Sequence, residues 1–326
     1  LKKSDKHTSY LADSNDRGRR LDRIVRKLIP DMPLSHIYKL IRSGAITVNG
    51  KYQSISYRVA EGDSIEFPKG SEIPKTGAVR ATSKAAHPIN ISDMILLENR
   101  HILALNKPKG IAVHGKKSLE GGVLDYLSGG EYDRGVFKPG PLHRLDRDTS
   151  GVILFSKSIE GARTVSALFR EHRIRKYYIA VVEGIIERKL SLTDRLIRDR
   201  HTGKSRRVLP SESNSPEAKR AVSSIIPIAW GESHTLVICI PETGRRHQLR
   251  VQLAGIGHPL YGDAKYGRKN KEKGYILHAI AIELLSGSDV LGFSHLYAPI
   301  PAESDRMIGS IICENYLGLI LKNLPF

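Results

Sequence analysis

The chain has 326 residues, with 52 Lys and Arg against 34 Asp and Glu, a formal charge of +18; that length allows two domains, and that charge points to a polyanionic partner, most often nucleic acid. Cys239 and Cys313 are the two cysteines, so neither a disulfide framework nor a zinc spacing exists. No apolar run of about 18 residues reads as a membrane span and the polar start carries no signal peptide, so the expectation is a cytoplasmic protein, although it begins at Leu1 rather than Met.

Residues 1–18 are polar, with Lys2, Lys3, Lys6 and Arg17, and read as a flexible basic tail. Leu21, Ile24, Val25 and Leu28 then follow the i, i+3, i+4, i+7 stripe of an amphipathic helix. Its other face carries Arg20, Arg23, Arg26 and Lys27, and Pro30 and Pro33 end it. Ser35 reads as the N-cap of a second helix, with Ile37, Leu40 and Ile41 inward and His36, Lys39 and Arg42 outward. Ile46 to Lys51 reads as a strand running into an Asn49-Gly50 turn, and Val59, Ile65 and Phe67 complete a small β unit.

This order resembles the S4 RNA-binding domain over residues 19–68. Arg20-Leu21-Asp22, Ser35, Ile41-Arg42-Ser43-Gly44, Val48-Asn49-Gly50-Lys51 and Gly62-Asp63 carry the resemblance. It implies that Arg20, Arg23, Arg26, Lys39 and Arg42 face RNA phosphates, contacts that position an RNA more than they read its sequence. An ordinary solvated helix face is the competing reading.

Residues 69–92 are rich in Lys, Ser, Pro, Gly and Thr and read as a linker. Met94 to Leu97 and Ile102 to Pro108 read as two strands joined by a turn, followed by a flexible basic loop at His114 to Lys117. The stretch Pro141-Leu142-His143-Arg144-Leu145-Asp146-Arg147-Asp148-Thr149-Ser150-Gly151 then feeds Val152 to Phe155, an apolar run that reads as a buried strand. Asp146 thus sits between two arginines on a loop at the mouth of a strand, where reactive groups are often held. From spacing alone a surface ion-pair turn is the commoner reading. Beyond it come a helix at Ala162 to Phe169, a strand at Lys176 to Val182, and a basic, loop-rich segment over 195–220. Strands at Val222 to Ile226 and Leu236 to Ile240 precede a turn at Thr243-Gly244 that opens a helix, and Met307 to Leu321 has a helical apolar pattern.

Residues 93–302 resemble the RluA-type pseudouridine synthases. The carriers are His143-Arg144-Leu145-Asp146-Arg147-Asp148-Thr149-Ser150-Gly151, Lys176-Tyr177-Tyr178-Ile179-Ala180, Thr243-Gly244-Arg245-Arg246-His247-Gln248-Leu249-Arg250, Gly257-His258-Pro259-Leu260 and Leu277-His278-Ala279. The S4-like part narrows this to enzymes of large-subunit ribosomal RNA, and Ala112-Val113-His114-Gly115 is more similar to the RluC-type members than to the RluD-type. Two departures stand out: Arg246 where the family commonly has Thr, and a short segment at Phe293 to Ala298.

The resemblance implies that Asp146 is the essential carboxylate, acting as nucleophile or base, with Arg250 as the cation that keeps it charged. It sets Tyr178 against the uracil face and Leu249 in the pocket wall. The target base leaves its stack to reach Asp146, and Arg144 is placed to fill the gap. His143 belongs with the substrate-binding set, reading as a structural hydrogen-bonder rather than a metal ligand, and Asp148 reads as structural. The implied reaction needs no cofactor and no metal, and no phosphate loop or dinucleotide fingerprint is present.

The expected fold is α+β: the tail, the S4-like domain, the linker over 69–92, and a catalytic domain over 93–326 on a mixed, mainly antiparallel sheet. The expected partner is large-subunit rRNA, with no membrane, and the chain is expected to be a monomer. A non-catalytic S4-type rRNA-binding or ribosome-assembly protein would share the charge and the first domain. A glycosidase or nuclease pairing Asp146 with Asp148 is a third reading, and a nuclease would usually want metal ligands.

Overall fold

The computed structural model describes residues 9–69, 71, 73, 89–128, 137–199, 204–208, 215–267, 274–312 and 316–324. The N-terminal unit holds β1 (Ser9–Leu11), α1 (Leu21–Leu28), α2 (Leu34–Arg42), β2 (Thr47–Val48) and β3 (Ser64–Glu66), with an antiparallel sheet in the order β1-β3-β2. The stripe Leu21, Ile24, Val25 and Leu28 is buried on α1, and Ile37 and Ile41 are buried on α2. Asn49 and Gly50 both take positive φ, 53° and 70°, as the tight turn requires.

Two expectations change here. Residues 9–18 are not a tail, because Tyr10 and Ala12 are buried and Tyr10 donates to Asp16 at 2.5 Å. Asp16, itself buried, also accepts from Arg19 at 3.0 Å. This segment reaches the larger unit as well: Asn15 Oδ1 accepts the Ile159 N–H at 3.1 Å and Arg100 donates to Ser14. Residues 1–8 of the expected tail lie outside the described residues. The second correction is the cap of α2. Pro33, not Ser35, is the N-cap; its carbonyl accepts the His36 and Ile37 N–H groups, and proline's fixed φ suits a helix start.

The larger unit holds β4 (Ile95–Glu98), β5 (Ile102–Lys107), α3 (Leu119–Ser128), β6 (Gly140–Pro141), β7 (Ser150–Ser156), α4 (Ile159–Arg170), β8 (Ile174–Glu183), β9 (Leu190–Arg198), β10 (Ser205–Arg207), β11 (Lys219–Trp230), β12 (His234–Pro241), α5 (Gln248–Gly255), β13 (Leu277–Leu284), β14 (His295–Tyr297), α6 (Ala302–Ile312) and α7 (Tyr316–Asn323). Nine strands run in the order β10-β9-β11-β12-β8-β13-β7-β5-β4, with β14 on β13 and β6 on β7. Among the described residues β13 with β7 is the parallel pair and the other pairings are antiparallel, so the sheet is mixed and mainly antiparallel as expected.

Alternation along β8 explains its nearly unbroken apolar run. Tyr178, Ala180 and Val182 pack into one core, whereas Tyr177, Ile179 and Val181 pack into the core covered by α6 and α7. The first core also takes Leu249 and Leu253 of α5 and Leu145 of the loop before β7. The face that carries Tyr178 is therefore the face that receives both the Asp146 loop and α5.

Several elements differ from the sequence reading. The helix α3 was not expected. The basic segment over 195–220 contains the end of β9, the strand β10 and the start of β11, with 200–203 and 209–214 outside the described residues. The apolar C-terminal pattern is two helices, α6 and α7, with 313–315 not described. Ile91, placed in the linker by composition, is buried in the catalytic core, and most of the rest of 69–92 lies outside the described residues.

The parallel contact between β7 and β13 fixes the end of the Asp146 loop. Ser150 and Gly151 pair with His278 and Ala279. Gly151 has φ +111°, and a Cβ there would lie 2.2 Å from the Ala279 carbonyl oxygen. His278 is buried; its Nε2–H donates to Ala298 O at 3.0 Å, so Nδ1 accepts from Ser150 Oγ at 2.9 Å. Gly151→Ala is expected to destabilise the chain by about 3 kcal/mol or more, seen as a lower melting temperature. A melting temperature equal to that of the wild type would contradict this packing.

Candidate active site

The loop between β6 and β7 is tied down at both ends. His143 Nε2 accepts the Leu154 N–H at 3.0 Å, and the Asp146 carbonyl accepts the Thr149 N–H at 3.1 Å. Burial pushes His143 down to about 3, with Lys176 adding to the shift, so the ring is neutral and able to accept. From below, the fully buried Lys107 of β5 donates its Nζ protons to the carbonyls of Pro108, Ile111 and Arg147, each at 2.9 Å. Burial lowers Lys107 to about 8, and Asp148 and Asp146 oppose the shift. Arg147 Nε donates to Gly110 O at 2.9 Å. The arginine after Asp146 is thus spent on holding the loop.

Above this loop lies a cavity of about 540 Å³. His143, Arg144 and Asp146 of the loop, Tyr178 of β8, and Leu249 and Arg250 of α5 all line it. These are the six catalytic and substrate-binding candidates, brought together from three separate segments. Asp148 is exposed and is not part of the lining. Arg246, the residue that departs from the family pattern, does line it.

Tyr178 is buried, and burial raises its hydroxyl well above the usual tyrosine range, with Asp146 and Cys239 adding to the effect. At neutral pH it is a proton donor or carrier rather than a resident base. Arg250 is placed differently from the expectation. Its guanidinium makes a two-bond pair with Asp263, Nε to Oδ2 and Nη2 to Oδ1, both at 2.7 Å. It also lies 5.0 Å from the Tyr266 ring centre and 4.3 Å from that of Tyr275. Burial works against its charge, but Asp263, Tyr275 and Asp146 together keep it above its ordinary value. The direct partner of Arg250 is therefore Asp263, because Asp263 is buried beside it on the turn after Gly262 and needs a counter-charge. Asp146 is acted on through space rather than by a close ion pair.

Sequence reasoning missed four groups here. Asp263 holds Arg250, Lys107 holds the loop through the Arg147 carbonyl, Lys176 lines the cavity, and His247 Nε2 lies 3.8 Å from Asp146 Oδ2. A signal existed for His247, two residues before Leu249, but its contact with Asp146 spans about a hundred residues and only folding reveals it.

The S4-like unit carries a second hollow, of about 290 Å³, lined by Arg20, Arg23, Arg26 and Tyr38 among others. Arg20 is committed to the buried Asp22, with bonds of 3.0 and 3.1 Å, whereas Arg23 and Arg26 are exposed. Lys39 and Arg42 are exposed on α2 and do not line the hollow.

Among the described residues no cluster of His, Cys, Asp and Glu is arranged to hold a metal ion, and no helix is long and apolar enough to cross a membrane.

The family model for RNA pseudouridylate synthase matches residues 101–255, and that for the S4 domain matches residues 19–65. The ribosomal large subunit pseudouridine synthase C of Vibrio vulnificus is 31% identical over 297 residues, spanning 91% of each chain. The protein of that name from Escherichia coli K12 is 32% identical over 294 residues, 83% of this chain and 86% of that one. Human RNA pseudouridylate synthase domain containing 4 has the same fold, with a TM-score of 0.55 at 23% identity, over 67% of this chain and 92% of that one. Human RNA pseudouridylate synthase domain containing 1 gives 0.56 at 22% identity, over 73% and 98%. With the S4 unit in front and the cavity behind, the chain belongs to the RNA pseudouridylate synthase family, isomerases that act on RNA.

Proposed function

We propose that this protein converts specific uridines of large-subunit ribosomal RNA to pseudouridine, with Asp146 as the reacting carboxylate. The observation that carries this reading is the convergence of Asp146, Tyr178 and Arg250 on one cavity. The names and the coverage of the two bacterial relatives support the choice of RNA. In the reaction the bond from the ribose to uracil N1 breaks, the base turns, and a bond from the ribose to C5 forms, while the C5 proton leaves to solvent and N1 takes up a proton. Asp146 acts as nucleophile or base at the sugar or ring. Tyr178 lies against the uracil face and carries protons, and Leu249 closes the wall. His143 holds the loop edge on the substrate side. The target base leaves its stack at a cost of a few kcal/mol, and the exposed Arg144 fills the gap.

Arg20, Arg23, Arg26, Lys39 and Arg42 supply the S4 contacts, with Arg23 and Arg26 the strongest candidates because Arg20 is held by Asp22. On this reading the protein works on large-subunit rRNA in the cytoplasm, as a monomer.

Incubating a full-length large-subunit rRNA transcript with the protein, then mapping carbodiimide-dependent reverse-transcription stops, tests the reading. Stops at a few discrete uridines are expected; an unmodified transcript, with modification of another RNA class instead, overturns it. Replacing Arg23 and Arg26 by Gln should flatten the log–log salt dependence of RNA affinity by roughly 0.7 to 0.9 per residue. An unchanged slope would show that this face does not hold RNA.

A further inference from the structure

His247, at the N-cap of α5, has left-handed backbone angles, φ 54° and ψ 25°. Such angles are uncommon outside glycine and persist where the surroundings hold them, often at functional sites. The ring packs edge-on against Tyr266, with centroids 5.6 Å apart. Its two nitrogens face different groups: Nδ1 is 2.7 Å from the Tyr266 hydroxyl, and Nε2 is 3.8 Å from Asp146 Oδ2.

The hydrogen bonds on the Tyr266 side decide where the ring proton sits. The Tyr266 hydroxyl oxygen accepts the Ser205 N–H at 3.0 Å. Its own proton needs an acceptor, and Nδ1 is that acceptor. Nε2 then carries the imidazole proton and presents it to Asp146. The opposite tautomer would aim a lone pair at a carboxylate and strand the phenol proton. Burial pushes His247 down to about 4, against the pull of Asp146, so the ring is a neutral donor at neutral pH. Catalytic hydrogen bonds are commonly long before substrate binds and tighten afterwards, so 3.8 Å suits a poised donor.

We propose that His247 is the positioning residue for Asp146, its Nε2–H fixing the orientation of the carboxylate, and that Tyr266 and Ser205 set its tautomer. This rests on Asp146 being the reacting carboxylate. The chain Ser205–Tyr266–His247–Asp146 begins on β10, whose neighbours Arg206 and Arg207 are basic. Arg207 ties that strand to α5 through the Gly255 carbonyl and to β9 through Asp194. The strand β10, braced in this way on α5 and β9, is therefore the far anchor of the hydrogen-bond chain that ends at the carboxylate.

The test uses the full chain and a large-subunit rRNA transcript. Tyr266→Phe keeps the ring against His247 and Arg250 but removes the hydroxyl. His247→Asn suits the left-handed backbone and removes the donor from Asp146. Both should lower kcat by about ten- to a hundredfold, with KM and melting temperature little changed. His247→Gln, whose amide reaches the Nε2 position, should recover part of the loss. In the wild type, nitrogen-15 NMR should show Nδ1 without a proton and Nε2 with one. Unchanged kcat in both variants, a loss explained by a lower melting temperature, or a protonated Nδ1 in the wild type would overturn the proposal. An inactive wild type with the expected tautomer would instead remove the functional reading and leave the hydrogen-bond chain intact.

Discussion

Asp146→Asn is expected to abolish isomerisation while leaving RNA affinity nearly unchanged. Asparagine keeps the shape of the side chain, so the turn closed by Thr149 N–H on the Asp146 carbonyl survives. It supplies neither a nucleophilic oxygen nor a base, and removal of a group that acts in the reaction costs at least about a thousandfold in kcat. Affinity should not fall, because the cavity loses an anion while Arg144, Lys176 and Arg250 stay in its lining. Formation of the new carbon bond expels the C5 proton, so release of tritium from RNA labelled at uridine C5 reads the step directly. Tritium release within about tenfold of the wild type would remove Asp146 from the reaction.

Arg250→Met is expected to lose both activity and stability, for different reasons. Activity falls because the cavity loses the cation that acts on Asp146. Stability falls because Asp263, 1% exposed, is left without its partner, a change that costs about 3–5 kcal/mol for a buried pair. A second change separates the two. Adding Asp263→Asn removes the stranded charge, while the amide oxygen can still accept the Lys265 and Tyr266 N–H groups. The double variant should regain most of its melting temperature and stay inactive. Recovered activity in the double variant would show that Arg250 serves only to neutralise Asp263.

Much of this architecture was legible in the sequence, for identifiable reasons. Val152 to Phe155 and Tyr177 to Val182 are apolar runs bounded by turn residues, and both are strands buried on two faces. The α1 stripe was read correctly because a helix buried on one side repeats every three to four residues. What escaped was structure hidden by composition. Tyr10 is a lone aromatic in a polar stretch, yet it anchors β1. The strand β9 buries Leu192 and Leu196, but Asp194 stands between them on the same face and Arg195 lies on the other, so charge masked a period-2 pattern. Gly121 and Gly122 weaken the helical signal of α3, which tertiary packing of Leu119, Val123 and Leu127 restores.

At the site, the sequence motifs placed Asp146, Tyr178 and Arg250 together, but not who pairs with whom. Both Asp263 and Asp146 stand within reach of the field of Arg250, and spacing cannot rank two carboxylates that folding brings to one side chain. The geometry ranks them: Asp263 is buried and takes both bonds, while Asp146 stays available at the cavity.

The most direct measurement is a nucleoside balance. Large-subunit rRNA transcript is incubated with the wild type or with Asp146→Asn, sized on a denaturing gel, digested and analysed for nucleosides. The account predicts pseudouridine appearing mole for mole with uridine lost, in RNA of unchanged length, with the wild type only. Free uracil, shortened RNA, or equal conversion by the Asp146→Asn protein would contradict it.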